Sequence, residues 1–253
     1  VLKTEKINQG TGRQGSNRHS QRDFGNEGTR TLKSNSSFIA PQRFAIFFAL
    51  TGNAKFQALL KHLVVFASGS GTNFQSIIDA VHRGDISVSI AGLITNKPDI
   101  GAIERAKNHN IPHQIFDPNT YSSEDEFSEA LIKQLKTWEA ELIALAGYLK
   151  KIPAAVIGEY PNRILNIHPA LLPKYGGKGF YGMNVHRAVV EAGEAESGCS
   201  VHIVTEEFDK GPVVAQTKVA VHPDDTPENL AKRILSEEHK LYPIAIQKHL
   251  KTL

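Results

Sequence analysis

From His62 onward, short apolar runs alternate with segments of helical periodicity, and this alternation limits the fold of the 253-residue chain more than any other feature. The runs are LVVFAS (Leu63–Ser68), SVSIAGLIT (Ser87–Thr95), HQIF (His113–Phe116), ELIALAG (Glu141–Gly147) and RILNIH (Arg163–His168). They are rich in β-branched residues and have the length of strands. Between them Phe74, Ile77, Ile78 and Val81 recur at helical spacing, as do Phe127, Leu131 and Leu135. DIGAIERAKNHN reads as a helix, SSEDEFSEALIKQLKTW as a helix capped by Ser122 or Ser123, and PAAVIGEY as a short helix opening at Pro153. Strands that alternate with helices predict an α/β fold, a mostly parallel twisted sheet with helices on both faces. Two later runs, GCSVHIVTEE and PVVAQTKVAV, flank an FDKG turn and read as an antiparallel C-terminal strand pair appended to the sheet. A closing helix sets Leu230, Ile234, Leu241 and Ala245 on one stripe, and Pro243 is expected to end or kink it.

The opening of the chain has a different composition. Residues 1–43 hold eight Lys and Arg against three acidic residues, a surplus of five, so the rest is slightly acidic within a formal total of +3. The body therefore lacks the basic footprint of a nucleic-acid binder, and no nucleic-acid partner is expected. Residues 1–43 are too polar to offset their ordering entropy and read as disordered, with a transit peptide as the lesser reading. Residues 44–61 read as a short helix or more tail. The expected organisation is a non-domain extension over 1–61 and one domain over 62–253. The single cysteine, Cys199, excludes an internal disulfide and fits a reducing, cytoplasmic setting. No apolar run approaches the ~18 residues of a membrane span, so no membrane partner is expected.

Two motifs carry chemistry. ASGSGTN (Ala67–Asn73) joins the first strand to the first helix. Its glycines permit positive φ and close backbone approach, and the helix N–H groups after it form an anion site. It is not a Walker A loop, because no Lys follows, and Phe74 occupies the third-glycine position of a dinucleotide fingerprint. An ordinary βα turn is the plainer alternative; Thr72 and Asn73 favour a phosphate by adding donors.

The second motif is Asn166 and His168. Alternation places both on one face of a strand, with Leu165 and Ile167 on the other. They stand at the C-terminal end of a parallel strand, where open α/β sheets bind ligands. Histidine exchanges protons near neutral pH, and an Asn amide donates to a developing oxyanion. No second ligand stands at metal spacing. For an isolated pair, a turn-forming Asn and a satisfied strand-end His remain the plainer reading. Asp209 opens the turn sequence DKGP; beside His168 its carboxylate would favour the imidazolium.

SGSGTNFQSIIDA, LNIHPALLPKY, SGCSVHIVTEEFDKGPVVAQ and EEHKLYP together resemble the phosphoribosylglycinamide formyltransferases of the folate-dependent formyltransferase superfamily, from about His62 to the C-terminus. The resemblance implies a Rossmann-like formyltransferase fold. It implies transfer of a formyl group from 10-formyltetrahydrofolate, as co-substrate, to the amine of glycinamide ribonucleotide in purine biosynthesis, with no metal and no enzyme nucleophile. On this likeness His168, as imidazolium, and Asn166 stabilise the oxyanion, while Asp209 raises the pKa of His168 and assists proton transfer. The ribonucleotide is expected on Gly71, Thr72, Asn73 and Glu238. The folate is expected along Leu149, Lys150, Lys151 and Ile152, against Asn166, and along Thr205, Glu206, Glu207, Phe208 and Asp209. The chain is expected to be a monomer or weak homodimer.

The chain also departs from that family. Glu124 stands where the family commonly has an Arg that reaches the folate, and Lys150 or Lys151 is expected to substitute. The loop KYGGKGFYGMNVH (Lys174–His186) is longer than the usual form, and Gly176–Gly182 within it reads as a mobile flap. His202 lies in a strand and has two readings, facing the site or a hydrogen-bonded core residue, of which the second is favoured; His186 and His239 read as structural, and Cys199 and Trp138 as packing. Two other readings stay open: a formyltetrahydrofolate deformylase with water as acceptor, and a non-catalytic nucleotide-binding relative. The first would carry an N-terminal regulatory domain, for which residues 1–61 are too polar. The second would not need Asn166, His168 and Asp209 together.

Overall fold

A computed structural model of the chain describes residues 60–253. The expected disordered extension, transit peptide and short helix before residue 60 lie outside the described residues, and Lys61 already belongs to the first strand. In chain order the elements are β1 (Lys61–Ala67), α1 (Thr72–Arg83), β2 (Val88–Thr95), α2 (Gly101–Asn108), β3 (His113–Ile115), α3 (Glu124–Thr137), β4 (Leu142–Leu145), α4 (Ala154–Glu159), β5 (Ile164–His168), α5 (Met183–Glu191), β6 (Glu196–Ile203), β7 (Val213–Ala220) and α6 (Pro227–Leu250). The sheet order is β3-β2-β1-β4-β5-β6-β7. β1 to β5 pair in parallel, β6 runs antiparallel to β5, and β7 antiparallel to β6. The chain moves outward from β1 in both directions, so the C-terminal ends of β1 and β4 border a crevice at the switch point.

Strand alternation divides the core between the two faces. Leu63 and Val65 of β1, Leu142 and Ala144 of β4, and Leu165 and Ile167 of β5 pack on one face with α1 and α6. Val64, Phe66, Ile143, Leu145 and Ile164 pack on the other with α3 and α4. Asn166 and His168 share this second face with Ile164, so an apolar column turns polar at the end of β5. On β2, Gly92 receives the indole of Trp138, where an added Cβ would stand 2.4 Å from the ring.

Ser123 caps α3, its Oγ accepting the Glu126 N–H at 3.1 Å, and the Glu126 carboxylate accepts the Ser122 N–H at 2.8 Å. The long helix α6 runs through Pro243, so the expected end there does not occur. An interior proline costs about 3 kcal/mol. Leu241, Tyr242, Ala245 and Ile246 are buried around it, and a buried Leu or Ile returns about 1.5–3 kcal/mol each. The helix α5 was not anticipated, because it starts without a side-chain cap after a glycine-rich loop. No described helix is long and apolar enough to cross a membrane.

Candidate active site

The crevice is closed by loops tied to one another. Ser68 N–H donates to the Gly147 carbonyl at 3.1 Å, and the Leu149 N–H donates to Ser68 Oγ at 3.0 Å. Gly71 precedes α1 with φ 72°, and a Cβ there would lie 2.7 Å from Ala102 Cα, so the left-handed turn and the close approach both require glycine. Asn73, in the first turn of α1, donates to Glu238 of α6 at 2.7 Å, while its Oδ1 is buried without a partner among the described residues. Burial pushes the Glu238 carboxyl above its usual pKa against the opposing Asn73 hydrogen bond.

At the end of β5 the antiparallel register sets Asn166 opposite His202 and His168 opposite Ser200. The polar column therefore continues across the sheet. Asn166 Nδ2 lies 3.1 Å from His202 Nε2, and His202 Nδ1 lies 3.0 Å from the Ile203 carbonyl. A carbonyl only accepts, so Nδ1 carries a proton; Nε2 accepts from Asn166 in the neutral ring and donates to Asp209 when the ring is protonated. One Asn166 N–H remains for the cavity.

Asp209 reaches this cluster because its own backbone is left-handed, with φ 55°. Its Oδ1 lies 3.3 Å from His202 Nε2, and its Oδ2 lies 3.7 Å from His168 Nδ1 and accepts the Gly177 N–H at 2.9 Å. His168 Nε2 lies 2.7 Å from the Tyr175 carbonyl, which fixes the proton on Nε2 and leaves Nδ1 toward Asp209. Two imidazoles thus each bind a backbone carbonyl with one nitrogen and present the other to one carboxylate.

The electrostatics differ from expectation at one point. Burial lowers the His168 pKa and outweighs Asp209 and the Tyr175 carbonyl, which raise it; His202 lowers it further. Asp209 favours the imidazolium as expected, yet the ring stays below its ordinary value. Asp209 loses solvation on burial, which raises its pKa, but the His202 hydrogen bond, the His168 charge and the Gly177 N–H bring it below the usual value. Nearby, His186 on α5 is pushed down to about 4 by burial and by the charge of His168.

A cavity of about 410 Å³ joins these parts: Asn73 and Glu238 on one side, Asn166, His168 and Asp209 on the other, with Leu149, Lys150 and Phe208 between. Leu149 and Tyr181 are each 59% exposed and Phe208 49%, so the cavity mouth is an apolar rim that suits a flat aromatic ligand. Lys151, Ile152, Thr205, Glu206 and Glu207 line a smaller pocket of about 80 Å³ that shares Lys150, Asn166, Phe208 and Asp209 with it. Gly71 is buried, and Thr72 opens to a neighbouring cavity of about 360 Å³. Glu124 faces a further pocket of about 350 Å³ with Lys150 and Lys151. Among the described residues, no group of three or more His, Cys, Asp or Glu is arranged to hold a metal ion.

The two readings of His202 meet in the structure, where it is both buried and part of this cluster. Ser200 was not singled out. Its Oγ donates to the Ala170 carbonyl at 2.5 Å and accepts the Leu172 N–H at 3.0 Å, holding the turn after His168. The available signal was period two: Ser200 and His202 share one strand face, just before Asp209.

Known proteins resemble the chain in sequence and in fold. Residues 61–246 match the family described as formyl transferase. A chloroplastic phosphoribosylglycinamide formyltransferase of Arabidopsis thaliana is 46% identical over 183 residues, 72% of this chain and 63% of that protein. The chain therefore spans less than two thirds of that relative's length. The phosphoribosylglycinamide formyltransferase of Haemophilus influenzae is 40% identical over 188 residues, 74% of this chain and 86% of that protein. The crystal structure of glycinamide ribonucleotide transformylase 1 from Symbiobacterium toebii superposes with a TM-score of 0.71 at 39% identity, covering 77% of this chain and 90% of that one.

Proposed function

We propose that this chain, which belongs to the formyl transferase family, transfers the formyl group of 10-formyltetrahydrofolate to the amine of glycinamide ribonucleotide in purine biosynthesis. The observation that carries the reading is the single cavity shared by Asn166, His168 and Asp209 with Asn73 and Glu238.

The substrate amine attacks the formyl carbon and a C–N bond forms. The formyl oxygen becomes an oxyanion, held by the free N–H of Asn166 and by His168. A protonated His168 donates from Nδ1, the nitrogen that faces Asp209. The amine proton passes through water beside Asp209 to the folate nitrogen, and the bond from that nitrogen to the formyl carbon breaks. No group of the chain becomes acylated, and no step calls on a metal. The ribonucleotide phosphate lies on the N–H groups of Gly71, Thr72 and Asn73, with Glu238 toward the sugar. The folate ring lies against Leu149 to Ile152 and Thr205 to Asp209, and its carboxylate tail meets Lys150 and Lys151 opposite Glu124. The segment Gly176–Gly182 is a flap over the reacting amine. The protein acts as a monomer or weak homodimer on these small molecules. The single buried cysteine fits a cytoplasmic enzyme.

The test is a formyl-transfer assay with purified protein, formylfolate and glycinamide ribonucleotide, run beside a control without acceptor. Formylation that depends on the ribonucleotide is expected. Formyl loss at equal rate without it would identify a deformylase instead.

A further inference from the structure

We infer that Arg105 determines how tightly this site holds the phosphate end of its ribonucleotide, as the residue that positions the glycine loop and as the cation beside it. The inference rests on the substrate proposed above.

The glycine loop is fixed from behind by α2. The Gly69 carbonyl accepts the Ala102 N–H at 3.1 Å, and the Ser70 carbonyl accepts Arg105 Nε at 2.9 Å. α2 starts in contact with the loop, since a Cβ on Gly101 would lie 2.8 Å from the Ser70 oxygen. Two successive carbonyls are thus turned toward α2. The N–H groups of Thr72, Asn73 and Phe74 have no acceptor among the described residues, which is the free first turn an anion needs.

Arg105 also fixes the next turn. Its Nη1 donates to Gln75 Oε1 at 3.0 Å, and the Gln75 N–H donates to the Gly71 carbonyl at 2.9 Å. Gln75 Nε2 is engaged with Asp79 at 2.9 Å, so the amide orientation is set. One guanidinium therefore holds both ends of the turn that bears the free N–H groups, while its Nη2 has no acceptor among the described residues. Arg105, Gln75 and Thr72 border the 360 Å³ cavity with His239, whose Nε2 is buried without a partner. Arg83 and Asp79 border it as well, but Arg83 Nε is bound to Asp85 at 2.8 Å. Both arginines keep a donor without an acceptor among the described residues, but of the two Arg105 is the one bound to the glycine loop, and a planar fork suits a phosphate better than a point charge.

The experiment compares glycinamide ribonucleotide with glycinamide ribonucleoside, which lacks the phosphate, in wild type, Arg105→Gln and Arg105→Lys, with melting curves for each. Arg105→Gln is expected to raise KM for the ribonucleotide about 10- to 100-fold, with kcat and the formylfolate KM within about twofold. The ribonucleoside is expected to react alike with wild type and variant, and Arg105→Lys to restore part of the loss. An equal loss on both acceptors, a loss in kcat or in formylfolate KM, or no change would each overturn the inference. If Arg105→Gln melts early, Arg105→Lys decides: a rise in KM confined to the ribonucleotide supports the role, and its absence overturns it. Wild-type protein that neither binds nor formylates the ribonucleotide would overturn the proposed substrate itself, a result that needs no variant.

Discussion

His202 Nε2 lies 3.3 Å from Asp209 Oδ1, nearer to that carboxylate than His168 is. The same nitrogen lies 3.1 Å from the Asn166 amide. His202 therefore positions two of the three reacting groups without itself reaching the formyl carbon in the proposed reaction. Replacing it by Phe keeps a ring in the space and removes both contacts. The expected result is a fall in kcat of about 10- to 100-fold with a melting temperature close to wild type. Steady-state rates for His202→Phe within twofold of wild type would show that Asn166 and Asp209 need no such support.

Removing the groups proposed to react is expected to cost more. His168→Ala and Asp209→Asn are each expected to lose at least ~100-fold in turnover while remaining folded. Asp209→Asn has a second readout. The carboxylate favours the His168 imidazolium, so its loss moves the His168 titration further down in pH. Following the imidazole C–H resonance of His168 in both proteins checks this, and an upward movement contradicts the arrangement.

Acid stability follows from His186. Its folded pKa is near 4 against 6.5 for the free side chain, so the unfolded chain takes up the proton first as pH falls. The stability tied to its neutral form is complete above the free value and is lost from there down to about 4. The loss is at most about 3 kcal/mol. His168, also depressed, contributes with the same sign. Urea midpoints at pH 7 and pH 4.5 are expected to differ less in His186→Gln than in wild type. An equal difference would place the acid sensitivity elsewhere.

The flap has a testable root. Gly177 and Gly179 hold φ of 96° and 95°, and the Gly177 N–H is fixed by Asp209. Hydrogen exchange is therefore expected to be slow at Gly177 with or without ligands. At Lys178, Gly179 and Tyr181 it is expected to slow when both substrates are present. Equal exchange at those three in the two conditions removes the flap.

The parallel strands and their helices were readable because periodicity reports directly on burial, as the two columns of β1 show. Asn166 and His168 were readable as a pair because alternation needs no tertiary information. The contacts of His202 with Asn166 and Asp209 were not, because they depend on the antiparallel register that sets it opposite Asn166. The approach of Asp209 depends on a left-handed residue, which the turn sequence permits but does not require. The net direction of the His168 pKa depends on burial depth, which no local pattern encodes. Pro243 does not end α6, because the proline rule is local while burial along α6 is a property of the whole sheet face.

The seat of Trp138 on Gly92 has a practical consequence. It is the only tryptophan of the chain, and neither residue borders the 410 Å³ cavity. Its emission is thus an optical probe of the β2 half of the sheet, expected to respond when the indole leaves the strand and to stay constant through a substrate titration. A single fluorophore therefore separates loss of fold from loss of binding in every variant above.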